Sequence, residues 1–133
     1  MKLVPANKAP KKDLERFLNK NENVDGDILV DKGYAVDVDG QIEGCFVLDA
    51  VEDGIYWLKQ LYITKDAAAK LPVLLEAILT LAKEKQAQKV YVHSHQPMVD
   101  ILLEALQFHP QAGSEWVDKY PIEKGNWWTY NVS

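Results

Sequence analysis

Apolar and polar residues alternate with a period of two in the middle of the chain. Tyr34, Val36 and Val38 are apolar and their neighbours are small or acidic, which is typical of a half-buried strand. Asp39-Gly40 and Asp53-Gly54 are two-residue turn signals, because both dipeptides tolerate positive φ. The pattern therefore predicts a three-strand antiparallel meander over Tyr34 to Val38, Gln41 to Asp49 and Ile55 to Ile63.

A helical period replaces this alternation in three segments. Each begins at a proline, which already has the φ of a first helical residue and has no N–H to leave unpaired. The predicted helices are KKDLERFLNK after Pro10, Pro72 to Lys85, and Pro97 to Phe108. The polar segment Asn19 to Gly26 is predicted to be a loop.

Short apolar runs predict four further strands. Met1 to Val4 opens the chain, and Trp116 to Tyr120 forms a closing antiparallel pair with Trp127 to Val132. Lys89 to His95 follows the Pro72 helix, and a crossover helix of this length connects parallel strands in a right-handed unit. We therefore expect a single α+β domain over residues 1–133, with a mixed, mostly antiparallel sheet and helices on its faces.

The charge distribution restricts the partners. The formal net charge is −5, and ten of the 20 acidic residues lie between Glu22 and Asp53, where Lys32 is the only basic residue. Such a surface repels phosphates, so we expect neither a nucleic acid nor a membrane as partner. The segment is either a solvated acidic edge or a surface that attracts a cationic amine or a basic protein. A single cysteine, Cys45, fits the reducing cytoplasm, and we expect a cytoplasmic monomer or homodimer.

The stretch from Ile55 to Phe108 has the order strand, short loop, long helix, strand, helix and contains no glycine. This order resembles the core of the GNAT acetyltransferase superfamily, and the resemblance in element order extends from the first strand to the last. It implies a GNAT-like fold, acetyl-CoA as the cofactor and transfer of an acyl group to the amine of an acceptor substrate.

The resemblance also implies cofactor-binding residues. In the family the pantetheine arm enters beside the central strand, and a glycine-rich loop holds the pyrophosphate through its backbone amides. The corresponding residues are Leu61, Tyr62 and Ile63 for the arm and Ala68, Ala69, Lys70, Leu71 and Val73 for the pyrophosphate. Alanines replace the glycines, Pro72 removes a donor and Asp66 adds negative charge, so we expect weak acetyl-CoA binding. The only arginine, Arg16, lies far from this loop in the sequence.

The last predicted helix also departs from the family pattern. Gln96 stands near the position of a family asparagine and is the remaining expected cofactor-binding residue. Leu103 stands where many members have a tyrosine that acts as general acid, and Gln107-Phe108 replaces Gly-Phe. Because leucine cannot donate a proton, we expect weak or lost catalysis.

Two candidate bases emerge. His93 shares a strand face with His95, so it is a polar residue at a strand end, a base that deprotonates an amine, or half of a metal-binding pair. No third ligand is fixed by spacing, and we therefore expect no metal. Glu43, on a neighbouring strand, is a second candidate base or a solvated strand residue.

Two functions fit these patterns. The first is a divergent acyl-CoA-dependent N-acyltransferase with weak activity, and the second is a GNAT-like module that binds a ligand or a protein without catalysis. A metal site at His93 and His95 is a third and weaker alternative. The late aromatic residues are predicted to pack in the core or to form a dimer face, and Cys45 to be a small core residue. These aromatic residues are Trp116, Trp127, Trp128 and Tyr130.

Overall fold

A computed structural model of the protein describes residues 1–22, 24–110, 115–122 and 124–132, with only the backbone described at position 115. The helices are α1 (Lys11–Lys20), α2 (Gly26–Lys32), α3 (Leu71–Glu84), α4 (Pro97–Ala105) and α5 (Glu115–Lys119). The strands are β1 (Lys2–Pro5), β2 (Gly33–Val38), β3 (Gln41–Glu52), β4 (Ile55–Ile63), β5 (Lys89–Ser94), β6 (His109–Pro110) and β7 (Asn126–Asn131). Among the described residues, no helix is long and apolar enough to cross a membrane.

The seven strands form one mixed sheet in the order β1-β2-β3-β4-β5-β7-β6. Strands β2 and β3 pair antiparallel, and the turn between them has positive φ at both Asp39 (54°) and Gly40 (88°). The short side chain of Asp37 accepts a hydrogen bond from the Gly40 N–H at 2.9 Å, which closes the turn. The α+β class with a mixed sheet and helices is confirmed.

The chain divides into two compact units, each with its own buried cluster. The first unit contains Met1–Asp49 and Leu58–Leu75, and the second contains Ala50–Trp57 and Glu76–Ser133. Helix α1 covers the first cluster with Leu14 and Phe17, which lie three residues apart on one helix face. The second cluster is aromatic, and its buried members are Tyr91, Trp116 and Trp127.

The prediction of a strand over Trp116 to Tyr120 is wrong. The segment is the helix α5, and the Tyr120 N–H donates to the Trp116 carbonyl at 2.9 Å. A strand would place Asp118 on the same face as both aromatic rings, whereas a helical turn exposes Asp118 and brings the rings into contact, with centroids 4.6 Å apart and planes tilted by 40°. The antiparallel partners of β7 are instead β5 and the two-residue strand β6.

The prediction of a loop over Asn19 to Gly26 is only partly right, because helix α1 extends to Lys20 and helix α2 begins at Gly26. The Asp25 carboxylate caps α2 by accepting from the N–H groups of Asp27 and Ile28, at 3.1 and 3.3 Å. An aspartate followed by apolar residues at helical spacing is an N-cap signal. The sequence therefore carried the information for this short helix, but the acidic residues around it concealed the pattern.

The remaining boundaries shift by a few residues. Strand β3 runs three residues past Asp49, and β5 ends at Ser94, which leaves His95 outside the strand. Helix α4 ends at Ala105 rather than at Phe108.

Candidate functional site

Strand β4 contains one residue with left-handed backbone geometry, Gln60. Gln60 has a φ of 53°, in the left-handed region that residues with a side chain seldom adopt. Its side-chain oxygen accepts a hydrogen bond from the Asp25 N–H at 2.7 Å, and its Nε2 is buried with no partner among the described residues. The left-handed residue interrupts the regular strand geometry immediately before Leu61, Tyr62 and Ile63, which are all half-buried.

The loop after β4 is a 3₁₀ turn, Lys65–Lys70, that runs directly into α3. The Ala67 N–H donates to the Thr64 carbonyl at 3.2 Å, and the Leu71 N–H donates to the Ala68 carbonyl. Ala67 is buried, whereas Ala68, Ala69 and Lys70 are exposed. One of the amides expected to face a pyrophosphate, that of Leu71, is therefore already engaged inside the loop.

Glu43 lies beside the end of β4. Its Oε2 accepts a short hydrogen bond from the Thr64 hydroxyl, and its carbonyl accepts from the Thr64 N–H at 2.8 Å. This candidate base is thus held by a side-chain and a backbone bond to the residue that precedes the loop.

A polar groove of about 510 Å³ opens next to Glu43 within the first unit. We call it the α1–β3 groove, and its lining residues are Asp13, Arg16, Phe17, Lys20, Asn21, Gly40, Gln41, Ile42, Glu43, Thr64 and Asp66. The groove brings Arg16 to the same surface as Thr64 and Asp66, although Arg16 is distant from them in the sequence. The sequence distance was therefore a misleading guide, since helix α1 folds back over the end of β4.

His93, the other candidate base, projects from β5 beside Trp127, with the two rings 5.3 Å apart and nearly perpendicular. Burial lowers the pKa of His93 below its usual value, and a hydrogen bond to the backbone of Lys124 opposes part of this effect. Its Nε2 is buried and has no partner among the described residues. The bond to Lys124 therefore uses Nδ1, and in the neutral ring Nε2 carries the lone pair.

Gly125 fixes the surroundings of His93. It has a φ of 91°, and a Cβ at this position would lie 2.3 Å from the Ser94 carbonyl oxygen and 2.8 Å from His93 Cε1. Only glycine fits there without a shift of the backbone or of the imidazole. No sequence signal marks Gln60, because glutamine seldom adopts a positive φ, and the closeness of Gly125 to His93 is a tertiary contact that the sequence does not show.

The other predicted residues are placed as follows. Gln96 is the N-cap residue of α4 without a side-chain capping bond, and its N–H donates to the Ser94 hydroxyl at 3.3 Å. Val73 is 56% exposed, whereas Leu103 is fully buried. Cys45 is buried, as expected of a small core residue, and burial raises the pKa of its thiol to about 12.

Within the described residues, no group of three or more histidine, cysteine, aspartate and glutamate side chains could hold a metal.

Comparison by sequence identifies no relatives. No protein-family model matches the chain, and no curated protein is significantly similar to it.

Comparison by structure does find similar proteins. An acetyltransferase of the GNAT family from Staphylococcus aureus Mu50 superposes with a TM-score of 0.73 at 16% identity, covering 99% of both chains. The N-acetyltransferase PseH of Campylobacter jejuni, solved in complex with acetyl coenzyme A, gives 0.69 at 14% identity over 99% of both chains. Tetrahymena GCN5 gives 0.73 at 8% identity, over 100% of this chain and 97% of its own. The agreement spans the whole length of each protein, and the chain therefore has the fold of the GNAT acetyltransferases.

Proposed function

We propose that this protein is an acyl-CoA-dependent N-acyltransferase with weak cofactor binding, acting on an amine. The observation that carries the proposal is the left-handed Gln60 in β4, directly before Leu61, Tyr62 and Ile63. A left-handed residue disrupts the hydrogen-bond ladder of a strand locally, and we propose that an extended ligand pairs with the backbone of this segment. Acetyl-CoA bound along this segment would supply the acyl group as a thioester.

His93 is the proposed base. Its lowered pKa keeps the imidazole neutral at pH 7, and Nε2, which is buried in the free protein, has to become accessible when the amine binds in order to take its proton. Trp127 packs against the ring, and Gly125 leaves no room for a side chain beside it. Glu43 is the alternative base, and its bond to Thr64 places it beside the loop.

The loop supports the proposal that cofactor binding is weak. The Leu71 N–H is engaged with Ala68, Pro72 has no N–H, and Asp66 adds a negative charge. A phosphate that is deprived of one hydrogen-bond donor binds about ten- to hundredfold more weakly. The exposed Lys65 and Lys70 restore part of the attraction.

The same loop favours a second candidate function, a non-catalytic GNAT-like module. The buried Leu103 supplies no proton donor in helix α4, and the engaged loop amide disfavours a tightly bound cofactor. In that case the protein binds a ligand or another protein through the same surfaces without transferring an acyl group.

Calorimetric titration with acetyl-CoA, followed by an assay of amine-dependent thiol release, tests both functions. We expect a dissociation constant on the order of 10⁻⁴ M or weaker. For the enzyme, His93→Gln should lower the rate about 10²- to 10⁴-fold and leave the dissociation constant unchanged. Binding without turnover would select the module, and a protein that shows no heat and no thermal shift at millimolar acetyl-CoA would refute the acyltransferase function.

A further inference from the structure

The α1–β3 groove has both of its cations on one wall and two of its three carboxylates on the other, while the third carboxylate, Asp13, lies on α1 beside Arg16. Arg16 and Lys20 come from helix α1, whereas Glu43 and Asp66 come from strand β3 and the loop after β4. Phe17 and Ile42 are the apolar lining residues between the two walls. A ligand with both an anionic and a cationic group would therefore find a partner on each wall.

Among the described residues, the charged side chains of the two walls do not form ion pairs with each other across the groove. Arg16 contacts Asp13 on its own helix at 3.9 Å, at the outer limit of an ion pair. Among the described residues no ion pair joins either cation to Glu43 or Asp66. Arg16 is also free to adapt to a ligand, with 69% of its side chain exposed.

The acidic wall is partly ordered in advance. The Thr64 hydroxyl holds Oε2 of Glu43, which fixes the direction of the carboxylate and leaves Oε1 for another donor. A carboxylate held in this way loses less conformational entropy when an ammonium group binds it.

The net charge of the lining narrows the ligand class. Three carboxylates, from Asp13, Glu43 and Asp66, face two cations, from Arg16 and Lys20, which leaves one negative charge in excess. A ligand that neutralises this lining carries a net charge of +1, as a molecule with one carboxylate and two ammonium groups does. The volume of about 510 Å³ accommodates a molecule of this size.

We propose that the α1–β3 groove binds a free diamino monocarboxylic acid, of the lysine and ornithine class. Arg16 pairs with the carboxylate of the ligand, Glu43 and Asp66 pair with its ammonium groups, and its methylene chain lies against Phe17 and Ile42. The proposal is independent of the acyltransferase function, since it concerns binding of the amino acid alone and is tested without acyl-CoA.

The test is a titration of the ¹⁵N-labelled protein with L-lysine, followed by NMR. We expect saturable shifts at the amides of Phe17, Ile42 and Thr64. Cadaverine, which lacks the carboxylate, and norleucine, which lacks the side-chain amine, should each bind at least tenfold more weakly.

Variants localise the site. Arg16→Gln should weaken lysine binding roughly tenfold, and its control Lys11→Gln, an exposed position on the same helix outside the groove, should not. Glu43→Gln should do the same relative to Glu15→Gln. Equal affinity for lysine and cadaverine would overturn the proposal, because the groove would then be only an acidic surface that attracts cations. Unchanged binding in Arg16→Gln would overturn it as well.

Discussion

The side-chain oxygen of Gln60 accepts a hydrogen bond from the backbone N–H of Asp25 at 2.7 Å, which ties strand β4 to the residue that caps helix α2. Two residues 35 positions apart thereby fix the start of a helix that the sequence pattern did not predict. The bond has consequences for stability that can be measured.

Gln60→Ala should destabilise the protein by about 1–2 kcal/mol, because it leaves the Asp25 N–H without its acceptor. Gln86→Ala is the matched control, since Gln86 has a φ of 61°, similar to that of Gln60, and is exposed. The backbone strain of an alanine at positive φ is then common to both variants. Urea unfolding followed by circular dichroism measures the difference, and equal stability of the two variants would show that the bond contributes nothing.

Gly125→Ala should destabilise the protein by more than about 2 kcal/mol, because the new methyl group collides with the Ser94 carbonyl and displaces His93. Gly40→Ala is the control, with a similar φ of 88° but no atom within 4 Å of the added Cβ. The control should lose only about 1 kcal/mol from backbone strain. Thermal unfolding of both variants gives the comparison, and a smaller loss in Gly125→Ala than in Gly40→Ala would contradict the packing around His93.

The stability should fall as the pH drops through the range just below 6.5. The folded state lowers the pKa of His93, so the unfolded state binds the proton more tightly, and the free energy of unfolding rises with pH across this window. His93→Gln should flatten this part of the profile. An NMR titration of the His93 ring provides a direct check, and a pKa above 6.5 in the folded protein would contradict the prediction.

Cys45 should not react with thiol reagents in the native protein. Burial raises its pKa to about 12, so the reactive thiolate is scarce at pH 8, and the side chain is inaccessible. Labelling should therefore follow the rate of unfolding and become fast in urea. Rapid labelling of the native protein at pH 8 would mean that the first unit opens easily.

The double variant Ala69→Gly with Leu71→Gly should bind acetyl-CoA about tenfold more tightly than the natural sequence. The glycines remove the methyl and isobutyl groups from the loop surface and free the chain from the helical turn that engages the Leu71 N–H. Asp66→Asn should act in the same direction by removing a negative charge. Micromolar binding by the natural sequence, abolished by the glycines, would show that the alanine loop itself is the productive binding surface.

The sequence predicted the fold wherever periodicity and turn chemistry agreed. Asp39-Gly40 has the positive φ values that its composition requires, and the amphipathic pattern after Pro72 corresponds to helix α3. Prediction failed where a short aromatic segment fitted two periods. Trp116 and Tyr120 share a face in a helix and also in a strand, and only the exposed Asp118 between them distinguishes the two.

The candidate site was less predictable than the fold. Nothing in the residue types indicated that Gln60 adopts a positive φ or that Arg16 lines a groove with Asp66. Both are tertiary properties, since Gln60 bonds to the distant Asp25 and the groove joins helix α1 to the loop after β4. The residues taken from the family pattern could be placed in the sequence, but their roles depend on backbone groups that a sequence does not specify.

The aromatic cluster around Tyr91 and Trp116 makes the second unit optically distinct. All four tryptophans of the chain lie in that unit, and Trp57 and Trp127 have their ring centroids 5.4 Å apart at a steep angle. Indole emission therefore reports on the second unit alone, while far-ultraviolet dichroism reports on both. If the two signals are lost at the same urea concentration, the units unfold together, and if they separate, the chain contains two independently folding parts.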